Sequence, residues 1–389
     1  MSLSLASAEP MAEVQAQSKA AAQVRPLRIA FAGGGSGGHI YPALAVAQAA
    51  LLRASRPAEV LFVVTREGLE RTVIQAHGHP MAEVPAARLV MRNGFRVLPE
   101  MWAGVRAARQ ALRAFRADVV YGTGGFVSFP TVVAAWLEGI PSLLHEPNTV
   151  PGRANAVLAW LAQGVVTHFP QSKDNFRRPW FGGQVRCLEL GTPLRYAYDA
   201  TRRVAGRELT VLVLGGSQGA RALNRAVMEL YPRLAGRGDL RLVHITGRAD
   251  FDAVKAAPGA DGRNIEVLPY TENMDEILYR TDVAICRAGA LTVCEMVEFQ
   301  IPAIYVPYPN AVGNHQFENA RLLQEAGGSR IVEEPQLNAE RLMRELEELV
   351  RPEVLLAHRK ALAGFTRPGA AGRVLEALEG LVQRDVRVK

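Results

Sequence analysis

From Leu27 onward, short apolar runs alternate with stretches whose apolar positions recur at helical spacing. LRIAFAG (27–33), a glycine-rich turn, a helix around Pro42–Arg53 and EVLFVVT (59–65) form one strand–helix–strand unit. Further strands are predicted at DVVYGTG (118–124), PSLLHE (141–146) and GVVTHF (164–169). After Gly191–Arg195 a polar stretch, YAYDATRRVAGRE, interrupts the pattern, which restarts at LTVLVLGGSQGARALNRAVMEL (209–230). Strands follow at LRLVHITG (240–247), IEVLPY (265–270), DVAICR (282–287) and AIYVP (303–307), and the tail from about 337 reads as helical with breaks at Pro352 and Pro368. Apolar strands separated by helices predict an α/β chain with parallel, doubly wound sheets covered on both faces. The restart predicts two Rossmann-like domains, over 26–195 and 196–367. A flexible extension (1–25) precedes them, and a terminal helix (368–389) is expected to pack back on the first. Open α/β sheets take ligands at the carboxyl ends of their strands, so two facing domains would share one cleft.

Composition narrows the class. Of 389 residues, 49% are hydrophobic and 21% charged, the profile of an ordinary globular protein with room for two or three cores. Cys187, Cys286 and Cys294 form neither a CxxC nor an even framework, so a reduced, cytosolic protein without structural disulfides or zinc is expected. The longest apolar stretch, Thr131–Leu144, is broken by Glu138, Gly139 and Pro141, too short a run to span a bilayer. The first 24 residues lack a basic start and a compact apolar block, which argues against a signal peptide, and Met11 is an alternative start. The net charge of +7 is concentrated: residues 88–116 carry seven arginines against the single acid Glu100. Such a patch suits nucleic acid or an anionic membrane surface.

The chemistry gathers around 282–319. A strand feeding a helix through Arg287-Ala288-Gly289 leaves backbone N–H groups aimed across the sheet end, a site for a diphosphate. With the helix opening near Thr292, Glu295 is placed to accept both hydroxyls of a ribose; Thr292-x-x-Glu295 equally reads as a capping box that only satisfies the helix end. Gly33-Gly34-Gly35-Ser36-Gly37-Gly38-His39 follows a strand, enters a helix with Pro42 in its first turn, and satisfies GxGxxG with Glu67 beyond the next strand. A dinucleotide oxidoreductase is therefore a rival reading, whereas a Walker A loop is excluded by the missing Lys-Ser/Thr. His39, at the helix entry, suits a general base kept neutral by the helix dipole, or a residue that only bonds the turn. Gly215–Gly219 forms a second such turn. Gly122–Phe126 offers another anion-friendly concavity, and His145-Glu146-Pro147-Asn148 presents polar groups at the same edge.

Together these segments resemble the MurG family of peptidoglycan glycosyltransferases, which has the two-domain GT-B fold. The resemblance runs from about Arg28 to the C-terminal helix. It is carried by GGGSGGHIYPALAVA (33–47), GTGGFVSFP (122–130), LHEPNTVPGRAN (144–155), GTPLR (191–195), GGSQGARALN (215–224), CRAGALTVCE (286–295) and NHQFENA (314–320). It implies inverting transfer of GlcNAc from UDP-GlcNAc to the muramoyl 4-hydroxyl of lipid I, giving lipid II, without a cofactor or an obligatory metal. In family terms Ala290, Leu291, Thr292, Val293, Cys294 and Glu295 hold the donor, amides facing the diphosphate and Glu295 the ribose. Ser217 and Arg195 add phosphate contacts, the backbone near Thr271 borders uracil, and Gln316 grips the GlcNAc hydroxyls with His315 or Asn319 nearby. Ser36, Gly37, Gly38 and Asn148 close over the donor from the first domain, which also receives lipid I. His39 and Glu146 are the candidate bases, His39 first. Ser36 stands where Thr is frequent, Phe126 where Tyr is usual, Pro147 where HEQN has Gln, and Cys294 where Ser is common.

Because the family's acceptor is membrane-bound, LVMRNGFRVLPEMW (89–102) gains a use. Arginines interleaved with Leu89, Val90, Met91, Phe95 and Trp102 suit a surface resting on an anionic inner leaflet at 89–98, with Val105, Leu112 and Phe115 forming the core face of an ordinary helix. A peripheral protein on the cytoplasmic face of the plasma membrane is expected. The competing functions are a nicotinamide-dependent oxidoreductase, a nucleic-acid binder lacking any recognised binding fold, and, within GT-B, a UDP-GlcNAc 2-epimerase or a diacylglycerol glycosyltransferase.

Overall fold

Fifteen strands are present among the described residues of the computed structural model, which are 25–52, 57–86, 97–178, 183–203, 206, 208–216 and 220–388. In the first half they are β1 (Leu27–Gly33), β2 (Ala58–Val64), β3 (Met81–Glu83), β4 (Val119–Gly124), β5 (Ser142–Glu146), β6 (Gly164–Thr167), the two-residue β7 (Arg177–Arg178) and β8 (Gly183–Gln184), and β9 (Cys187–Leu188). Seven of these form one sheet in the order β3-β2-β1-β4-β5-β6-β9, every pair parallel; β7 and β8 make a separate antiparallel pair. In the second half β10 (Leu209–Leu214), β11 (Leu240–Ile245), β12 (Ile265–Leu268), β13 (Val283–Cys286), β14 (Ala303–Tyr305) and β15 (Ser329–Ile331) form a parallel sheet in the order β12-β11-β10-β13-β14-β15. These are the two doubly wound Rossmann-like lobes the pattern predicts.

Each sheet is apolar on both faces because helices cover both. Val211 and Val213 of β10 join one core cluster and Leu212 and Leu214 the other. Leu27, Ile29 and Phe31 of β1 face one layer, Ala30 and Ala32 the opposite one. Burial of each Val, Leu or Ile side chain contributes about 1.5–3 kcal/mol, so the continuous apolar runs read from sequence are the main adhesive of both sheets. The helix Ala370–Val388 inserts Val374, Leu375, Leu378 and Leu381 into the first lobe's core, against Ile40, Ala43, Leu44 and Ala47 of the helix Gly37–Leu51. The chain thus crosses between lobes twice, and the crossings are tied together: Arg367 pairs with Glu189, and Arg373 donates to the Leu190 carbonyl at 2.8 Å.

Several local expectations shift. The first glycine-rich turn is shorter than expected because Gly37 and Gly38 already belong to the helix Gly37–Leu51. Pro42 is therefore in its second turn, without an N–H for the Gly38 carbonyl. The helix after β13 starts at Ala290, not Thr292, with Gly289 at its N-cap and no side-chain cap. Thr292 is then the third helical residue, and the capping box does not form. β12 stops at Leu268, before Pro269, which has no N–H to continue the ladder.

In the basic region, Val105, Ala108 and Leu112 of the helix Val97–Phe115 are buried, as the apolar spacing predicts, whereas Trp102 is 58% exposed. Arg109 and Arg113 both pair with Glu138 of the neighbouring segment, at 2.5 and 2.6 Å, so part of the local charge surplus is neutralised in space. Arg88, Arg92 and Arg96, the apolar residues at 89–95 and the extension up to residue 24 lie outside the described residues. Among the described residues no helix is long and apolar enough to cross a membrane.

Candidate active site

In each lobe the winding reverses between two neighbouring strands, β1 and β4 in the first and β10 and β13 in the second. A doubly wound sheet binds its ligand just beyond such a pair. The segments placed there are 33–38 and 124–127 on one side of the cleft, and 215–216 and 287–289 on the other.

On the second-lobe side, β13 ends at Cys286 and the chain turns through Gly289 (φ −62°, ψ 141°) into the helix Ala290–Glu298. The Val293 N–H closes the first helical bond, to the Gly289 carbonyl at 2.9 Å. The N–H groups of Ala290, Leu291 and Thr292 precede it and have no intrahelical partner. A Cβ built on Gly289 would meet nothing within 4 Å, so the space before these amides is open. Val293 and Cys294, included in the donor set from sequence, are instead fully buried, and the Cys294 thiol contacts the Thr192 hydroxyl at 3.2 Å. Their side chains pack into the second lobe's core with Cys286, Ala288 and Val297. Glu295 is one turn in and only half-buried as a residue, but burial of its carboxyl end pushes its pKa up to about 7 against the opposing charge of Arg195. Arg195 is exposed and makes no ion pair among the described residues. Its guanidinium carbon lies 4.3 Å from the Tyr41 ring centroid and 5.0 Å from that of Tyr196. Thr271 is half-buried in the turn after β12, its hydroxyl accepting from the Asn273 N–H at 3.1 Å. Ser217 lies outside the described residues.

On the first-lobe side the glycines serve close backbone packing. The Gly34 N–H donates to the Gly124 carbonyl at 3.3 Å, and a Cβ on Gly125 would sit 2.1 Å from the Gly34 oxygen. Gly122–Phe126 therefore interlocks with the first turn. The Gly35 N–H is taken by the Glu70 carboxylate at 3.0 Å, which also accepts from the Thr65 hydroxyl at 2.5 Å. A buried carboxylate behind the turn opposes a pyrophosphate there, and Glu67, the acid the dinucleotide fingerprint calls for, is exposed. The oxidoreductase reading thereby loses the phosphate cradle it relied on.

The interlocked turns seat His39. Its Nδ1 lies 2.8 Å from the Thr123 carbonyl, and the Thr123 hydroxyl donates to the His39 carbonyl at 2.6 Å. A carbonyl only accepts, so Nδ1 carries the proton and Nε2 a free lone pair. Burial lowers the His39 pKa, the Glu146 charge opposing it. Glu146 itself is buried and fully engaged: Oε1 accepts from the Asn148 backbone and side-chain amides at 3.1 and 2.8 Å, Oε2 from Gly152 N–H and Asn155 Nδ2 at 2.9 and 3.0 Å. Those four bonds organise loop 147–155. Ser36 caps the Gly37–Leu51 helix through its backbone alone, leaving its exposed hydroxyl without a capping bond, and Gly37 and Gly38 open that helix.

Asn319 joins the lobes. Buried at 0% exposure, its Oδ1 accepts from the Thr149 N–H and hydroxyl at 3.0 and 3.1 Å, while Nδ2 donates to Asn148 Oδ1 at 3.0 Å and the Ala288 carbonyl at 3.3 Å. Asn148 and Asn319, both assigned to the donor from sequence, here bond each other across the cleft. Gln316 Oε1 accepts from the Tyr308 N–H at 3.0 Å, leaving its amide donors for a ligand. His315 lies near enough to His39 to lower its pKa, which brings the two lobes' polar ends together. Glu70, Tyr41 and Thr149 were not singled out from sequence. Glu70 stands three residues beyond the acid that was, and no local spacing marks the cross-lobe partners.

Comparison with known proteins follows the same lines. The glycosyltransferase family 28 N-terminal domain matches residues 29–167 and the glycosyltransferase family 28 C-terminal domain residues 210–373. A UDP-N-acetylglucosamine--N-acetylmuramyl-(pentapeptide) pyrophosphoryl-undecaprenol N-acetylglucosamine transferase of Moorella thermoacetica is 36% identical over 371 residues, covering 90% of this chain and 98% of the relative. The crystal structure of Acinetobacter baumannii MurG superposes with a TM-score of 0.73 at 29% identity, over 91% of this chain and all of that one. The UDP-GlcNAc 2-epimerase of Neisseria meningitidis, at 12% identity and a TM-score of 0.63 over 92% of this chain and 100% of that one, shares the fold alone.

Proposed function

The chain belongs to the MurG family within glycosyltransferase family 28, and from that membership we propose how its cleft performs the transfer. The reaction moves GlcNAc from UDP-GlcNAc to the muramoyl 4-hydroxyl of lipid I, with inversion, releasing UDP and lipid II. The observation that carries this reading is the pairing, across one cleft, of open amides at 290–292 and Glu295 with a histidine whose Nε2 is free.

The second lobe holds the donor. Glu295, once ionised, accepts the two ribose hydroxyls. The Ala290, Leu291 and Thr292 amides and the Arg195 guanidinium take the diphosphate, and the Gln316 amide takes a GlcNAc hydroxyl. As the anomeric C–O bond to the β-phosphate breaks, negative charge grows on the leaving oxygen, and donors already aimed there stabilise it without reorganising. A helix terminus alone contributes about 0.3–2 kcal/mol, so amides and Arg195 act jointly. On the opposite face His39 Nε2 removes the proton from the attacking 4-hydroxyl as its oxygen bonds to the anomeric carbon. Burial keeps the imidazole neutral and the Thr123 carbonyl fixes its tautomer. Of the two candidate bases His39 is favoured, since the oxygens of Glu146 are committed to loop 147–155.

Contact with an anionic membrane is part of the proposal. Trp102, Trp136 and Trp160, at 58, 54 and 40% exposure, lie on or just past three successive helices of the first lobe, and Trp102 falls within the arginine-rich stretch 88–116. Pelleting with anionic vesicles is expected to carry the protein down, and Arg92→Glu with Arg96→Glu to weaken it; undiminished pelleting would remove that segment from the interface. The transferase reading is tested by mass analysis after incubation with UDP-GlcNAc and a lipid I analogue. A β-linked disaccharide product with stoichiometric UDP is expected, whereas UDP-ManNAc without acceptor consumption would make the chain an epimerase.

A further inference from the structure

The first lobe's aromatic contribution to the donor side has no place in the scheme above. Tyr41 lies on the first lobe's Gly37–Leu51 helix, two residues after His39, yet its ring covers the guanidinium of Arg195 on the crossing to the second lobe. Tyr196 approaches the same guanidinium at 5.0 Å, its own hydroxyl anchored on the Glu272 carbonyl at 3.2 Å. Tyr41 is seated from below by Gly37, where a Cβ would stand 3.1 Å from the ring's Cε2, so a larger residue at 37 would push against the ring. Its hydroxyl faces that of Tyr270 on the second lobe, and it feels the charge of Glu295. With no carboxylate paired to it among the described residues, the Arg195 cation is held by ring faces and keeps its N–H edges for an anion.

We propose that Tyr41 is a positioning residue for the donor's diphosphate: with Tyr196 it holds the Arg195 guanidinium so that the cation faces the leaving group only when the two lobes are apposed. An unrestrained arginine loses rotamer freedom on binding a ligand; one held by aromatic rings has already lost it, so the ligand's affinity rises. Because Tyr41 and His39 share a helix, the approach that carries the base to the acceptor also completes the clamp on the leaving diphosphate. Leaving-group stabilisation is thereby tied to the acceptor lobe's position, which disfavours donor cleavage while the cleft is open. This inference rests on the transferase reading and adds to it the means by which the first lobe reaches the donor.

The test is calorimetric titration of UDP and of uridine into the full-length wild type, Tyr41→Phe, Tyr41→Leu, Arg195→Ala and the Tyr41→Leu/Arg195→Ala double variant, with donor kinetics alongside. Tyr41→Leu is expected to weaken UDP by about tenfold, the scale of one cation–π contact and one immobilised side chain, and to lower kcat/KM for the donor equally. Tyr41→Phe restores most of the loss, uridine affinity does not change, and Tyr41→Leu adds nothing once Arg195 is absent. Equal losses for UDP and uridine, failure of Phe to rescue, or additive effects of the two substitutions would overturn the inference while leaving the transferase reading intact. A wild type that does not bind UDP at all would overturn both.

Discussion

Replacing Asn319 by alanine probes the joint between the lobes. The substitution removes the acceptor of the Thr149 N–H and hydroxyl and the donor to Asn148 and Ala288, all four bonds lying between 3.0 and 3.3 Å. Thr149 is 6% exposed, so its N–H is left without water, at a cost of about 1–3 kcal/mol. The two donated bonds add about 0.5–1.5 kcal/mol each, giving a loss of roughly 2–6 kcal/mol in all. Asn319→Asp is the sharper variant. It preserves the acceptor for Thr149 but sets an oxygen against the Asn148 and Ala288 oxygens, so it should be at least as damaging at neutral pH. It should then recover as pH falls, because a protonated carboxyl donates again. Urea unfolding is the assay, following the first transition by tryptophan fluorescence, since a two-lobe chain need not unfold in one step. Turnover is measured on the same samples. We expect a lower first midpoint, a fall in kcat, and little change in UDP affinity. A wild-type midpoint combined with lost donor affinity would refute the reasoning and return Asn319 to a ligand-binding role.

Three further outcomes follow from the site. His39→Ala should lower kcat by about 10²–10⁴ with UDP affinity intact, the range for removal of a general base. Because burial lowers the His39 pKa, the acid limb this residue contributes to kcat should fall below the ordinary histidine value, activity declining as pH drops through it. Glu70→Ala should destabilise the protein and raise the acceptor KM by freeing the Gly35 turn. The Glu70 pKa is lowered through its bonds to Thr65 and Gly35, which outweigh its burial, so its contribution is present above the usual carboxylate range and is lost as pH falls through the lowered value; a pH-independent gap between variant and wild type would contradict this. Glu295, with its pKa raised to about 7, opposes folding increasingly as pH climbs from the ordinary carboxylate value through 7, yet must ionise to accept ribose hydroxyls. Uridine binding near pH 7, measured in two buffers of different ionisation heat, should therefore release protons, and Glu295→Gln should abolish that release.

Much of this was legible in the chain. Both sheets follow from runs such as LTVLVL, because a strand covered on both faces has to be apolar at every position. The cleft-facing loops follow from glycines at strand ends. What could not be read was the task of each glycine: in Gly33–Gly38 the spacing suits a phosphate cradle and a close backbone crossing alike, and only the position of Glu70 and Gly124 distinguishes them. The helix after β13 begins two residues earlier than the sequence pattern predicts because a glycine N-cap leaves no side-chain signature. Asn148 and Asn319 looked like ligand-binding amides for a similar reason: an amide fits a sugar or another amide equally well, and their partners lie about 170 positions away along the chain.

The central claim is that second-lobe amides and one carboxylate hold a uridine diphosphate sugar. It is tested most directly by measuring the affinities of UDP and 2′,3′-dideoxy-UDP for wild type and Glu295→Ala at pH 8, where the wild-type carboxylate is ionised. Wild type is expected to prefer UDP by at least about tenfold, a loss of about 1.4 kcal/mol for two charge-assisted hydrogen bonds being a lower bound. Glu295→Ala should bind the two nucleotides equally; undiminished discrimination in that variant would contradict the account.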